Sequence, residues 1–85
     1  MEQIKILEQI KEIAVANKLI SEHNAKWVKA DTPTNTYLDS LDQIEMCMLL
    51  EREYGIIITK PNCNHINTFG DLVSLVQNKI PKKQF

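Results

Sequence analysis

Glycine, proline, cysteine and aromatic residues are all scarce in this chain of 85 residues. It contains two glycines, three prolines and two cysteines, and aromatic residues make up 6% of it. So few glycines and prolines argue against long loops. Two cysteines are too few for the disulfide framework of a small secreted domain, so we expect no such framework and a reducing, cytoplasmic location.

Long apolar runs and an excess of basic charge are also missing. No apolar run approaches the length of a membrane span, and acidic residues interrupt the first part of the chain where a signal peptide would lie. The net charge of −1 argues against nucleic acid as the main partner. These absences predict a protein without a membrane span, a signal peptide or a nucleic-acid surface.

The residue patterns that catalysis and metal binding require are equally hard to find. There is no glycine-rich phosphate loop, and two histidines without nucleophile-elbow glycines do not suggest a hydrolase. Cys63 and His65 lie close together in sequence, but a tetrahedral metal site needs about four suitably spaced ligands. We therefore predict no nucleotide-binding loop, no hydrolase triad and no metal site.

What the chain does contain is helical periodicity. Apolar residues make up 44% and charged residues 25%, which is ordinary for one globular domain over residues 1–85. Apolar stripes at helical spacing predict an all-α bundle of three longer helices and one short turn of helix. The predicted bounds are residues 3–17, 40–54 and 68–80 for the longer helices and 61–65 for the short one, with 81–85 as a loose tail.

The connection between the first two long helices is harder to interpret. Residues 31–36, "DTPTNT", have the composition of a turn or loop. We expect Trp27 and Val28 to hold this connection against the core, and a short turn of helix is possible at 21–26. Further along, Gly55 is placed to end the helix over 40–54, and Thr68 is placed to cap the last helix.

The helix over residues 40–54 has two apolar faces. Its core face is formed by Met46, Cys47, Leu50 and Tyr54 together with Gln43, and Cys47 is interpreted as a small buried apolar residue. A second apolar patch lies about a third of a turn away. It consists of Leu41, Ile44 and Met48, bordered by Glu45, Glu51 and Arg52.

The second patch has two interpretations that the sequence leaves open. Neighbouring helices could cover it, or it could be a docking surface with an apolar centre and a charged rim. Residues 39–53 carry five acidic residues against one basic residue, so a docked partner would be steered by its positive charge.

Ser40, at the start of this helix, has an ordinary structural explanation. Either Asp39 or Ser40 can cap the helix, and residues 40–43 fit the spacing of a capping box. On local chemistry alone, the role of a cap explains Ser40.

A wider stretch resembles a known family. The segment "LDSLDQIEMCMLLEREYGI" resembles the modification site and second helix of acyl carrier proteins. Asp39, Ser40 and Leu41 match the family's Asp-Ser-Leu, and Asp42 and Glu45 match the acids that usually follow. The segment "HINTFGDLVSLVQNKI" is similar to the family's entry into its last helix. The resemblance covers residues 36–80 well and the rest in outline.

The resemblance implies a four-helix carrier bundle without catalytic activity. Ser40, flanked by Asp39 and Leu41, would be the attachment point for 4′-phosphopantetheine, which a phosphopantetheinyl transferase adds. The arm would hold an acyl or aminoacyl thioester and present it to loading and transferring enzymes. The expected partner face comprises Asp42, Ile44, Glu45, Met48 and Glu51, and the expected state is a monomer. The alternative is an unmodified helical adaptor that uses the same face only for protein binding.

Some positions depart from the fatty-acid carriers of this family. Leu38 before Asp-Ser is closer to D-alanyl and other aminoacyl carriers. Arg52 and Lys60 stand where fatty-acid carriers are commonly acidic, and Ile57 is apolar. The departures favour a specialised carrier, which could serve a fatty-acid, polyketide, peptide or envelope-polymer pathway.

Overall fold

The fold is all-α, as the computed structural model of residues 2–80 shows. Three longer helices form the body of the protein, and two short helices and a 3₁₀ turn lie in the connections between them. The helices within these residues are α1 (Glu2–Ala16), α2 (Glu22–Ala25), α3 (Ser40–Tyr54), α4 (Lys60–Asn64) and α5 (Phe69–Lys79), and the 3₁₀ turn is Thr34–Thr36.

The predicted helices agree with the structure closely. The bounds of α3 match the prediction, and those of α1, α4 and α5 differ from it by about one residue at each end. The tentative turn of helix at 21–26 is confirmed as α2. The 3₁₀ turn was missed, since its sequence predicted only a loop. The predicted tail, residues 81–85, lies outside the described residues.

One hydrophobic core joins the three long helices. From α1 it takes Ile6, Ile10 and Ala14, which recur at helical spacing on one face. Each large apolar side chain contributes about 1.5–3 kcal/mol when it is fully buried. The other helical contributions are Ala25 from α2, Met46, Cys47 and Leu50 from α3, Cys63 from α4, and Phe69, Leu72, Val73 and Val76 from α5.

Helix α1 ends without a glycine. Lys18 adopts the left-handed conformation, with φ of 63°, and Leu19 donates a backbone hydrogen bond to Ala14 O. Glycine normally occupies such a position because it has no Cβ to clash. Here the termination is encoded without the residue that usually marks it.

The long connection between α1 and α3 is attached to the start of α5. The N–H of Thr34 donates to Asn67 O at 2.9 Å, and the N–H of Phe69 donates to Thr32 O at 3.0 Å. These backbone bonds fix the segment that leads to Ser40. Both Val28 and Trp27 were expected to pack against the core. Val28 does so and is 2% exposed, whereas Trp27 is 62% exposed and does not.

Gly70 is required by a close approach between this connection and α5. Its N–H donates to Ala30 O at 2.7 Å, and a Cβ at this position would lie 2.8 Å from the same oxygen. Because that oxygen belongs to the backbone, it cannot rotate away as a side chain would. The absence of a side chain at Gly70 therefore lets the connection pack against the helix.

We expect Gly70→Ala to destabilise the protein by about 1–3 kcal/mol, the usual cost of overpacking. In an unobstructed helix the same change would stabilise by about 1 kcal/mol, so the sign of the effect is the test. Urea unfolding measures the free energy, and Ser74→Ala at an exposed position of α5 is the control. A Gly70→Ala protein as stable as the parent would show that the connection can move aside at no cost.

Candidate functional site

Helix α3 begins with a cap made by two aspartates. The N–H of Asp42 donates to the Asp39 carboxylate at 2.8 Å, and the N–H of Asp39 donates to the Asp42 carboxylate at 3.4 Å. This reciprocal pair is a capping box with Asp39 as the cap. Of the two candidates that the sequence left open, Asp39 holds the position, and the capping box expected over residues 40–43 is not the one that forms.

Ser40 is consequently released from the role of a cap. It is the first residue of α3, it is exposed, and among the described residues its hydroxyl makes no hydrogen bond. The structure therefore separates two functions that the sequence could not distinguish. Asp39 caps the helix, and the Ser40 hydroxyl is exposed and takes no part in the cap.

A groove of about 440 Å³ opens beside Ser40. It runs between the start of α3 and α4, and its walls carry both polar and apolar side chains. Its lining residues are Asn35, Leu38, Asp39, Ser40, Gln43, Ile44, Cys63 and Asn64. A group attached to Ser40 could therefore lie against the protein without displacing any part of the core.

Gln43 connects α3 to the two segments that flank this groove. Its side-chain oxygen accepts a hydrogen bond from the Thr34 hydroxyl at 2.8 Å, and its NH₂ group donates to Cys63 O at 3.0 Å and to Ile66 O at 3.2 Å. Thr34 is 2% exposed, so these polar groups satisfy each other away from water. The sequence placed Gln43 on the core face but did not reveal this role.

A disulfide bond joins Cys47 in α3 to Cys63 in α4, and no described cysteine is free. The expectation that the two cysteines form no disulfide framework is corrected, because packing of α4 against α3 places their Cα atoms 6.3 Å apart. The prediction that Cys47 is buried is confirmed, at 5% exposed. Among the described residues, no group of three or more histidine, cysteine or acidic side chains could hold a metal.

The second apolar patch of α3 faces solvent. Leu41 is 75% exposed, Ile44 43% and Met48 50%, which excludes the interpretation that neighbouring helices cover them. Ile57, just after the helix, is 74% exposed. Apolar side chains exposed together on one face mark an interaction site more often than isolated ones do.

The charged residues near this patch differ in whether other described residues bind their side chains. Glu45 and Arg52 are exposed, and the only ion pair among the described residues joins Lys11 and Glu8 elsewhere. Glu51 is half-buried, and its carboxylate accepts a hydrogen bond from the N–H of Ile58 at 2.7 Å. Asp42 is held in the capping box. Of the acids expected on the partner face, Glu45 is the one that makes no hydrogen bond or ion pair with any described residue.

The chain after α3 turns sharply and brings α4 back toward Ser40. Gly55 ends α3 in the left-handed conformation with φ of 64°, as its position predicted. Ile56 and Ile58 then point into the core, and Ile57 points out.

The Tyr54 hydroxyl donates to Gln9 of α1 at 2.5 Å, and burial, together with nearby Glu53, raises the pKa of Tyr54.

Comparison with known proteins agrees with this geometry. No protein-family model matches the chain. The chain is 32% identical over 80 residues to an acyl carrier protein of Thermosynechococcus vestitus, and the alignment covers 94% of this chain and 98% of the relative. An acyl carrier protein of Caulobacter vibrioides is 32% identical over 74 residues, covering 87% of this chain and 94% of the relative.

A solved structure supports the same assignment. The crystal structure of an acyl carrier protein from Thermotoga maritima superposes with a TM-score of 0.79 and 25% sequence identity, covering 93% of this chain and 91% of that one. Within residues 2–80, no helix is both long enough and apolar enough to cross a membrane. The chain belongs to the acyl carrier protein family, whose members are carriers rather than enzymes.

Proposed function

We propose that this protein carries an acyl or aminoacyl group on 4′-phosphopantetheine attached to Ser40 and presents it to pathway enzymes. Acyl carrier proteins typically carry phosphopantetheine, which supports the identity of the cofactor. The observation that carries the assignment to Ser40 is its exposed hydroxyl, which makes no hydrogen bond among the described residues and adjoins an open groove. The bound group supplies a terminal thiol, which holds the cargo as a thioester.

The residues around Ser40 fit a phosphate ester without holding it tightly. In the active site of a separate transferase, Ser40 Oγ would attack the coenzyme A phosphorus that carries the pantetheine arm and pass its proton to a base of the transferase. The pyrophosphate bond of coenzyme A would break, and adenosine 3′,5′-bisphosphate would leave. The N-terminus of α3 carries partial positive charge, which favours a phosphate at this position. The carboxylates of Asp39 and Asp42 lie close by and oppose it. A weakly held arm can swing toward a docked enzyme, and its tether keeps the cargo at high effective concentration there.

The partner face in this proposal centres on the exposed patch of α3. Leu41, flanking Ser40, and Ile44 and Met48 would supply the apolar contact, and Glu45 would steer a basic partner. Asp42 and Glu51 belong to the face by position, although both also hold the fold in place. The expected partners are a phosphopantetheinyl transferase and the enzymes that load and transfer the cargo.

We expect Glu45→Lys to slow loading by a phosphopantetheinyl transferase several-fold at low salt and less at high salt. Salt screens exposed charges, with a Debye length of about 10 Å at 0.1 M. The matched control is Glu53→Lys, which makes the same charge change at an exposed position on another face of α3. Initial rates at several salt concentrations provide the measurement. An effect that does not change with salt would rule out electrostatic steering as its cause.

The remaining expectations concern the setting of the protein. We propose a cytoplasmic monomer with a single carrier domain. Leu38, Arg52, Ile57 and Lys60 support a specialised carrier, because these positions depart from the pattern of fatty-acid carriers. An aminoacyl cargo is one candidate within this class, and the neighbouring genes would identify the pathway.

The test of the proposal is the intact mass of the protein after incubation with coenzyme A, magnesium and a broad-range phosphopantetheinyl transferase. We expect a gain of one phosphopantetheinyl unit, which peptide mapping should locate on Ser40. A folded protein that gains no mass with either this transferase or a cognate one would instead support the unmodified adaptor. Mapping to a different residue would refute the assignment to Ser40.

A further inference from the structure

We propose that Cys47 and Cys63 form a redox-sensitive tether that fixes or releases the wall of the groove beside Ser40. The inference rests on the proposed function, because it concerns access to the same serine. In the disulfide form, α4 is bound covalently to α3. In the dithiol form, α4 is held only by noncovalent contacts and can move away from the groove.

The position of the disulfide gives it this influence. Cys63 and Asn64 of α4 line the groove on the side that faces Ser40 and Ile44. Cys47 lies in the core face of α3, about two turns after Ser40. The disulfide therefore connects the helix that begins at Ser40 with the opposite wall of the groove.

Helix α4 depends strongly on such attachments. It has five residues, far fewer than a helix needs to be stable alone in water. Among the described residues, a hydrogen bond from the Gln43 side chain to Cys63 O ties α4 to α3, and Cys63 Sγ lies 3.7 Å from Gln43 O. A second bond from the Gln43 side chain, to Ile66 O, holds the chain two residues after α4. Reduction of the disulfide should leave α4 packed against α3 most of the time, but α4 should move away from the groove more often.

The same contacts let the tether form again. Gln43 lies one turn before Cys47 and holds the backbone of Cys63, so it keeps the two cysteines near each other in either state. Disulfides inside cells are usually redox-sensing or transient rather than permanent. A pair held in register within a cytoplasmic carrier matches that use.

The exchange chemistry balances with a small disulfide such as glutathione disulfide as the oxidant. Cys63 lines the groove but is only 6% exposed in the disulfide form, so its thiolate becomes accessible when α4 opens. It then attacks the small disulfide and releases one molecule of its thiol. The Cys47 thiolate then attacks Cys63 Sγ in the mixed disulfide and releases the second. Two protons and two electrons leave the protein, and the small disulfide is reduced to two thiols.

The consequence is that the surface around Ser40 differs between the two states. A transferase that docks at Ser40 meets an ordered wall in the disulfide form, whereas in the dithiol form it must first order α4. Ordering a segment on binding weakens or slows the association. We therefore expect the oxidised protein to be loaded about threefold faster than the reduced protein.

The experiment compares oxidised and reduced protein prepared in glutathione buffers, with the thiols counted by alkylation and mass. Hydrogen exchange of residues 60–66 should be about tenfold faster after reduction, and exchange in α1 and α5 should change little. In the Cys63→Ala control, exchange and loading should no longer respond to redox state. Cys47→Ala should retain one glutathione on Cys63, which tests the proposed order of attack without requiring the disulfide.

The outcomes separate this inference from the function on which it rests. The tether is overturned if both cysteines stay as thiols in oxidised glutathione. It is also overturned if hydrogen exchange in residues 60–66 does not change on reduction. Both results come from the parent protein, so they hold even if the Cys63→Ala protein fails to fold. Equal loading rates in the two states overturn only the regulation of Ser40. No loading in either state overturns the proposed function and this regulation with it.

Discussion

Replacing Ser40 with alanine is expected to abolish loading completely. The change removes the only hydroxyl that the proposal makes reactive, and the neighbouring residues Asp39 and Leu41 have no hydroxyl to replace it. Intact mass after incubation with coenzyme A and a transferase should show no gain for Ser40→Ala while the parent is converted. A Ser40→Ala protein that still gains one unit would place the attachment elsewhere.

The same variant should keep its fold, which separates function from stability. Asp39 holds the capping position, and the Ser40 hydroxyl makes no hydrogen bond among the described residues. The change should therefore alter the free energy of unfolding by less than about 0.5 kcal/mol. Asp39→Ala is the matched comparison, and it should cost about 1 kcal/mol as a lost cap. Urea unfolding measures both variants. A larger loss for Ser40→Ala than for Asp39→Ala would contradict the observed capping.

The largest expected loss of stability follows from Gln43→Leu. Leucine has a similar size but cannot donate to Ile66 O or accept from the Thr34 hydroxyl, and Thr34 is almost fully buried. A buried polar group left without its partner costs about 1–3 kcal/mol. We expect a total loss of about 3 kcal/mol, because two of the three groups keep another partner. Cys63 O still accepts from the N–H of Ile66 at 3.2 Å. Thr34 can still reach Asn67 O at 3.5 Å.

Urea unfolding of Gln43→Leu should be compared with that of Asn78→Leu, which also replaces an amide but at an exposed position of α5. We expect the control to change the free energy by less than about 0.5 kcal/mol. Hydrogen exchange should report where the loss falls, with α4 more affected than α1. Equal effects of the two substitutions would mean that the amide of Gln43 contributes nothing beyond that of an exposed side chain.

The helices and their ends could be predicted because their signals are local. The apolar stripe of α5 repeats at helical spacing, Thr68 and Asp71 form the expected capping box, and Gly55 ends α3 in the expected conformation. The exposed patch of α3 was also visible as a second apolar stripe, although its exposure was not. A helix wheel shows which residues share a face, but not what covers that face.

The sequence by itself determined the class of fold, the position of the long helices and the place of Ser40 at the start of α3. These depend on contacts within a few residues, which propensity, periodicity and caps encode. Only the tertiary structure decided that Asp39 rather than Ser40 caps α3, that Gln43 joins three segments and that Cys47 bonds to Cys63. The last two depend on how the connections fold back over α3, because packing, and not sequence spacing, determines which distant groups meet. The cap is a local choice, but two adjacent residues, Asp39 and Ser40, both have side chains able to make it.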